Sequence, residues 1–299
     1  MKPIDILLAT SVPLIWGTGF VLAKVALHDF PPVLLMALRF TLTALVLVWF
    51  FMPPVRLMPK LFAIALISGS IQYGLTFNGL KHLDASTAGL VVQTEVPFAA
   101  LLAVVFLRER LTLRMVAGLV VAFVGLLIVA GEPKIRGQEL ALLMVLGGAF
   151  TWSIGQVMVR SMGEIGGFVM ITGVALFAAP QLFIASWLFE DNQIEAIRNA
   201  GAAVWIAVVY MGLAMTAIAY AIWYGLLGRY PVNNVAPFLL LLPVVIAIEG
   251  VVFLGEAMTW QTLAGGALIL VGVAVITLTH GPAPVRPAPA RDMDRDRSS

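Results

Sequence analysis

Ten apolar stretches, at about 5–27, 33–52, 60–80, 86–107, 112–131, 138–160, 168–189, 203–227, 232–254 and 260–279, occupy almost the whole chain. About 20 predominantly apolar residues are needed for a helix to cross the hydrocarbon core of a bilayer. Lipid offers backbone N–H and C=O groups no partner, so such stretches persist there as helices that bond internally. The connections are short, and several carry proline, glycine or charge: HDFPP at 28–32, PPVRLMPK at 53–60, GEPKIRG at 131–137. The pattern specifies an all-α polytopic membrane protein with ten transmembrane helices. Pro13, Trp16 and its length separate the first span from a signal peptide.

Composition narrows the chemistry. Only 11% of the 299 residues are charged, and the mean hydropathy is +1.01, which places the chain in lipid. The absence of cysteine excludes disulfides, thiolate zinc sites and Cys-bound clusters or haem. His28, His82 and His280 fall in loops or at a helix end, so no metal site or other cofactor is expected. Nucleotide-binding and hydrolase motifs are absent, which argues against an enzyme and against transport driven by ATP hydrolysis in this chain.

The chain also repeats itself. Trp16 with Lys24 returns as Trp152 with Arg160, and Pro97 returns as Pro243. LRERLTLRMVAGLVVAFVGLLIV at 107–129 matches LGEAMTWQTLAGGALILVGVAVI at 254–276, with Glu109, Thr112, Gly118 and Gly125 falling on Glu256, Thr259, Gly265 and Gly272. Each copy holds five spans, which predicts a first repeat over 1–131 and a second over 138–280. An odd number of spans inserts the second copy upside down. Inverted pairs of this kind build many secondary transporters, with the substrate site near the midplane between the halves.

Charge predicts the orientation. With the N-terminus inside, the inner loops and tail carry Lys2, Arg56, Lys60, Arg108, Arg110, Arg114, Arg160, Arg229 and four tail arginines. The outer loops carry only Lys24, Lys81, Lys134, Arg136 and Arg198. The positive-inside rule then puts both termini in the cytoplasm, and a bacterial inner membrane is the expected location. The Pro/Ala and Arg/Asp tail at 281–299 cannot bury a core and reads as disordered. Its mixed charge makes it a poor anchor for nucleic acid.

Within the spans, Glu95 and Glu249 are the deeply placed acids. Intramembrane carboxylates usually face a cavity or a partner and mark ion or substrate pathways, although a structural pair between helices would also retain them. Pro97 should leave the carbonyl of Gln93 without its helical donor, and Pro243 should do the same to Leu239, so both helices are expected to break and to serve as hinges. Arg39 could bind a substrate carboxylate, pair with a glutamate as a gate, or snorkel to the interface. Polar and aromatic stripes complete the candidate lining: Trp16 on helix 1, Gln72, Tyr73 and Thr76 on helix 3, Gln93 beside Glu95, Trp152 and Gln156 on helix 6. Helix 8 adds Tyr220, Trp223 and Tyr224 on the face of Thr216. The glycines seven apart in helices 5 and 10 fit close helix packing, and Thr112 and Thr259 fit N-caps.

WG at 16–17, LRF at 38–40, LGE at 254–256 and the five-plus-five duplication resemble the drug/metabolite transporter superfamily, EamA family. Within it, LLGRYPVNNVAPFLLLLPVVIA at 226–247 resembles the bacterial cysteine/O-acetylserine exporter type, while RER at 108–110 and the Glu95–Pro97 pair depart from that pattern. The resemblance implies a central cavity lined by helices 1–4 and 6–9, with helices 5 and 10 peripheral. It also implies a secondary transporter, monomer or homodimer, that exports small polar metabolites by alternating access. Amino acids or their derivatives are the first choice of substrate and protons the candidate coupling ion. Export of aromatic or cationic compounds is the alternative, and a membrane scaffold or enzyme a more distant one.

Overall fold

The computed structural model describes residues 1–107, 112–162, 165–227, 229–230 and 235–279, without certain side chains, those of Arg160 and Tyr224 among them. The RER segment at 108–110 and the tail at 281–299 lie outside the described residues. The first half runs through α1 (Pro3–Ala26), α2 (Pro32–Leu47) and α3, which has three consecutive pieces, Met58–Ile64, Ala65–Ile71 and Gln72–His82. It continues with α4, in two pieces (Ala85–Val92 and Glu95–Leu107), and α5 (Leu113–Ala130). The second half begins with α6 (Glu139–Ser161) and α7 (Gly167–Phe189), followed by a short helix, Gln193–Asn199. It closes with α8 (Ala202–Val209, Tyr210–Ile218 and Ala219–Leu227), α9 (Ala236–Leu240 and Leu241–Leu254) and α10 (Trp260–Thr279). Among the described residues, nine of these ten are long and apolar enough to cross a membrane, and α2 is a shorter apolar helix.

The span expected at 33–52 ends early, at Leu47. Beyond it the N–H groups of Phe50 and Phe51 both turn back onto the Leu47 carbonyl. Pro53 and Pro54 follow, and the residue before a proline is driven out of the helical region. Trp49 and Phe50 consequently project outward, 82% and 75% exposed, where aromatic rings suit the membrane–water interface.

The span expected to be continuous at 86–107 breaks at Gln93–Thr94. There the N–H groups of Gln93 and Thr94 bond three residues back, to Leu90 and Val91, at 3.2 and 3.0 Å. The Gln93 carbonyl is not orphaned, contrary to the expectation from Pro97: the Val96 N–H donates to it at 3.2 Å. Tightening to three-residue turns supplies a donor that the proline cannot. At the matching place in the second repeat, the 3-10 segment Ala236–Leu240 precedes Pro243.

A second pair of irregularities had no sequence signal. α3 and α8 each widen into a π-helix, over Ala65–Ile71 and Tyr210–Ile218 respectively. These occupy equivalent places in the two repeats. Thr216 follows the wider pitch with its side chain as well, its hydroxyl donating to the carbonyl of Met211 at 2.8 Å. Segments of this kind often mark functional sites.

Packing reproduces the inverted duplication. α5 lies along α10 and α2 along α7, each helix meeting its own counterpart. The α3–α6 contact is mirrored by α8–α1, and the α4–α6 contact by α9–α1. Small residues permit the close approaches that association in lipid needs. Gly79 of α3 sits against the backbone of Ala141 and Val145 on α6, while Gly17 of α1 sits against Val245 of α9. Thr112 and Thr259 cap α5 and α10, accepting from the N–H of Met115 and of Thr262 at 3.2 Å each.

The two ends of the bundle are tied differently. At the end holding the N-terminus, the buried Asp5 carboxylate accepts from Arg229 and from the Tyr230 hydroxyl, both at 2.7 Å. At the opposite end, Lys24 donates to the carbonyls of Leu80 and Leu83 at 2.8 and 2.7 Å, where α3 finishes. Glu190 accepts there from the N–H groups of Val33 and Leu34 at the start of α2. A cation at a helix C-terminus and a carboxylate at an N-terminus both complement the helix dipole.

Candidate functional site: a cavity between the repeats

A cavity of about 160 Å³ lies inside the bundle. It is lined from α1, α2, α3, α4, α6, α7, α8 and α9, and α5 and α10 supply none of its wall. That is the division the resemblance implied. The lining reaches Val159 on α6, Met170 on α7 and Leu239 on α9, all toward the end that carries the N-terminus. In the other direction it stops at Phe20 of α1 and at Thr76 and Phe77 of α3. Aromatic contacts close that side, with ring centroids 5.0 Å apart for Phe40–Tyr73 and 5.8 Å for Phe20–Phe77.

Ten of the residues singled out from the sequence meet here: Trp16, Arg39, Gln72, Tyr73, Thr76, Gln93, Glu95, Trp152, Gln156 and Tyr220. The backbone irregularities set their positions. Gln72 follows the π-helical piece of α3 and donates to Thr76 at 3.2 Å. Gln93 and Glu95 flank the break in α4, which Ser153 of α6 braces by donating to the Glu95 backbone carbonyl at 2.8 Å. Trp16 donates from its indole nitrogen to the Met215 carbonyl, inside the π-helical piece of α8, at 2.9 Å. Its ring also packs against Tyr220, 5.2 Å between centroids.

Arg39 is 1% exposed, which rules out snorkelling. Its Nε donates to the Thr216 hydroxyl at 3.1 Å, and Nη2 lies 3.5 Å from the Tyr73 hydroxyl. The guanidinium carbon stands 4.8 Å from the Tyr73 ring centroid and 5.5 Å from that of Phe40, within cation–π range. Among the described residues Arg39 makes no ion pair; those present join Lys134 to Asp84 and Arg229 to Asp5. A glutamate gate through Arg39 is therefore not formed here.

The other candidates lie elsewhere. Glu249 is absent from the cavity wall; its Oε1 accepts from Thr18 at 2.7 Å in the α1–α9 contact, and its Oε2 is buried without a partner among the described residues. Trp223 packs behind Trp16, 6.1 Å between centroids, against a separate cluster with Ala9 and Leu226. The Tyr224 side chain lies outside the described set. Pro97 and Pro243 are not among the lining residues, and each follows closely after a backbone irregularity, at Gln93–Thr94 and at Ala236–Leu240. Ser68, Phe77 and Met215 are lining residues that sequence reasoning missed. Two of them, Ser68 and Met215, sit on the π-helical pieces, where a register based on 3.6 residues per turn misplaces side chains. Among the described residues no group of three His, Asp or Glu is placed to hold a metal ion.

The EamA-like transporter family model matches residues 3–131 and again 139–278. The chain is 31% identical over 281 residues to a probable amino-acid metabolite efflux pump of Salmonella typhimurium, covering 91% of this chain and 94% of that one. It is 29% identical over 231 residues to a probable terminal-alkyne amino-acid exporter of Streptantibioticus cattleyicolor, covering 75% and 74%. A solved crystal structure superposes with a TM-score of 0.64 at 24% identity, over 93% of this chain and 99% of that one, a likeness of fold.

Proposed function

Because the chain belongs to the EamA-like transporter family, we propose that it is a secondary exporter of small amino-acid metabolites, working by alternating access. The observation that carries this reading is the cavity itself. It lies between the two inverted repeats and is polar on several walls, and its volume is about 160 Å³. Pockets for drug-sized ligands run to roughly 300–1,000 Å³, so the size favours a small metabolite over the bulky aromatic or cationic compounds of the alternative reading. The names of the Salmonella and Streptantibioticus relatives point to the same substrate class.

In this scheme the two repeats, 1–131 and 138–280, rock about the cavity. The breaks beside Pro97 and Pro243 absorb the change in backbone angle, as hinges do. With both termini in the cytoplasm of a bacterial inner membrane, the lining extends furthest toward the cytoplasm, the side from which an exporter loads. Glu95 is the group in the wall that a coupling proton can occupy in exchange with a cationic substrate group. Reconstitution into liposomes loaded with labelled amino acids, with and without a pH gradient, tests the reading. Efflux of an amino acid that a pH gradient accelerates is the expected result. Transport of bulky aromatic cations with no amino-acid flux would establish the alternative instead.

A further inference from the structure

The cavity wall carries one unmatched charge and one carboxyl group without an ion-pair partner. Arg39, on α2, keeps its guanidinium protonated under all ordinary conditions, and a buried charge without a counter-charge is costly. Its partners, Thr216, Tyr73, Met36 and the Phe40 ring, are all neutral. Glu95, on α4, lines the same cavity, and no described side chain forms an ion pair with it. The two form no ion pair with each other. Neutral amides, Gln72, Gln93 and Gln156, make up much of the remaining polar wall.

We infer that the cavity recognises a zwitterion, with Arg39 taking the substrate's free α-carboxylate and Glu95 its free α-ammonium. This rests on the reading of the cavity as the transport site, and adds the chemical requirement at each end of the substrate. A guanidinium fork matches a carboxylate with two parallel hydrogen bonds, the stronger kind of polar contact. A simple cation would leave Arg39 unpaired, and a simple anion would leave the Glu95 carboxyl without the cationic group it can accept in exchange for a proton. Only a ligand bearing both charges matches both poles, and the aromatic rings of Trp16, Phe77 and Tyr220 remain for its apolar part. Arg39 and Glu95 are on this account specificity-determining residues.

The test uses the purified full chain and one set of probes: the common amino acid giving the highest flux in liposomes, its α-amide, and its N-acetyl derivative. Binding is read separately from transport by quenching of tryptophan fluorescence, since Trp16 and Trp152 both line the cavity. The parent protein should prefer the free amino acid over each blocked form by roughly tenfold or more, the order expected for loss of a charge-assisted contact. Glu95→Gln should abolish the preference over the N-acetyl derivative and keep that over the amide. Arg39→Gln should do the reverse, and Arg39→Lys should retain part of the preference for the free carboxylate. A crossed pattern of this kind cannot arise from misfolding. Equal affinity of the parent for all three probes, or the same preferences in every variant, overturns the inference while leaving amino-acid export intact. No flux of any amino acid removes the underlying reading, and the inference with it.

Discussion

Gly125 of α5 and Gly265 of α10 meet backbone to backbone. A Cβ on Gly125 would stand 2.5 Å from the Gly265 carbonyl oxygen, and one on Gly265 would stand 2.7 Å from that of Gly125. Gly118 and Gly272 repeat the reciprocal contact two turns away, at 2.9 and 2.5 Å. The two-fold relation between the repeats thus passes through this seam, which takes no part in the cavity. Gly125→Ala should force the helices apart and destabilise the fold by about 1–3 kcal/mol or more, as overpacking does. Gly74→Ala, whose new methyl meets nothing within 4 Å, should be neutral or slightly stabilising. Thermal unfolding of the two variants in detergent compares the same chemical change at both places; equal midpoints would refute the close contact.

Most of this architecture is legible in the sequence, and the reason is physical. Lipid enforces helices, so apolar length alone finds the spans, and the glycine spacing in α5 and α10 survives because both helices are regular. Legibility ends where helices depart from 3.6 residues per turn. Nothing in the residues of Ala65–Ile71 or Tyr210–Ile218 announces a π-helix, so helical periodicity does not place Ser68 and Met215 in the wall. Pro97 did signal a break, but the backbone resolved it one turn earlier and found the Gln93 carbonyl a donor. Glu249 stood out for depth as plainly as Glu95 did. Depth does not tell which face of a helix a residue occupies, and α9 turns Glu249 toward Thr18.

Glu256, the acid of the LGE triplet, closes the first turn of α4. Its carboxylate accepts from the N–H of Ala85 at 2.5 Å, the N–H of Ser86 at 3.0 Å and the Ser86 hydroxyl at 2.6 Å. The loop reaches this place because Gly255 adopts a left-handed conformation, φ 67°, at the end of α9. Removing the charge should cost about 1.5–3 kcal/mol, the range for hydrogen bonds to charged groups. Glu256→Gln is expected to lower the unfolding midpoint clearly, Glu256→Ala further, and Ser86→Ala less than either. A ranking with Ser86→Ala the most damaging would show that the hydroxyl, not the carboxylate, organises this turn.

Asp5 and Arg229 form an asymmetric pair. The Asp5 side chain is 2% exposed and that of Arg229 is 55% exposed. Taking away Arg229 leaves a buried carboxylate with only the Tyr230 hydroxyl, whereas taking away the charge of Asp5 leaves a cation that water can reach. Arg229→Gln should therefore destabilise more than Asp5→Asn, and the double variant should recover part of the difference, since the cost lies in the stranded charge. A double-mutant cycle on unfolding midpoints measures this, and a milder effect for Arg229→Gln would reverse the assignment.

Orientation rests on charge, and the chain itself provides a clean way to read it. With no cysteine of its own, any single introduced cysteine is the sole target for a maleimide. Arg56 and Lys60 precede and open α3, on the side assigned to the N-terminus, and both are exposed. Arg136 and Arg198 are exposed on the opposite side, beside the Lys134 that pairs with Asp84 and in the short helix after α7. The excess of Lys and Arg on the first side predicts, under the positive-inside rule, that it is cytoplasmic. A membrane-impermeant maleimide added to intact cells should label Arg136→Cys and Arg198→Cys and spare Arg56→Cys and Lys60→Cys until the membrane is opened. Labelling of Arg56→Cys from outside would invert the topology. The end reached furthest by the cavity lining would then face outward, and an importer loading from that side would replace the exporter.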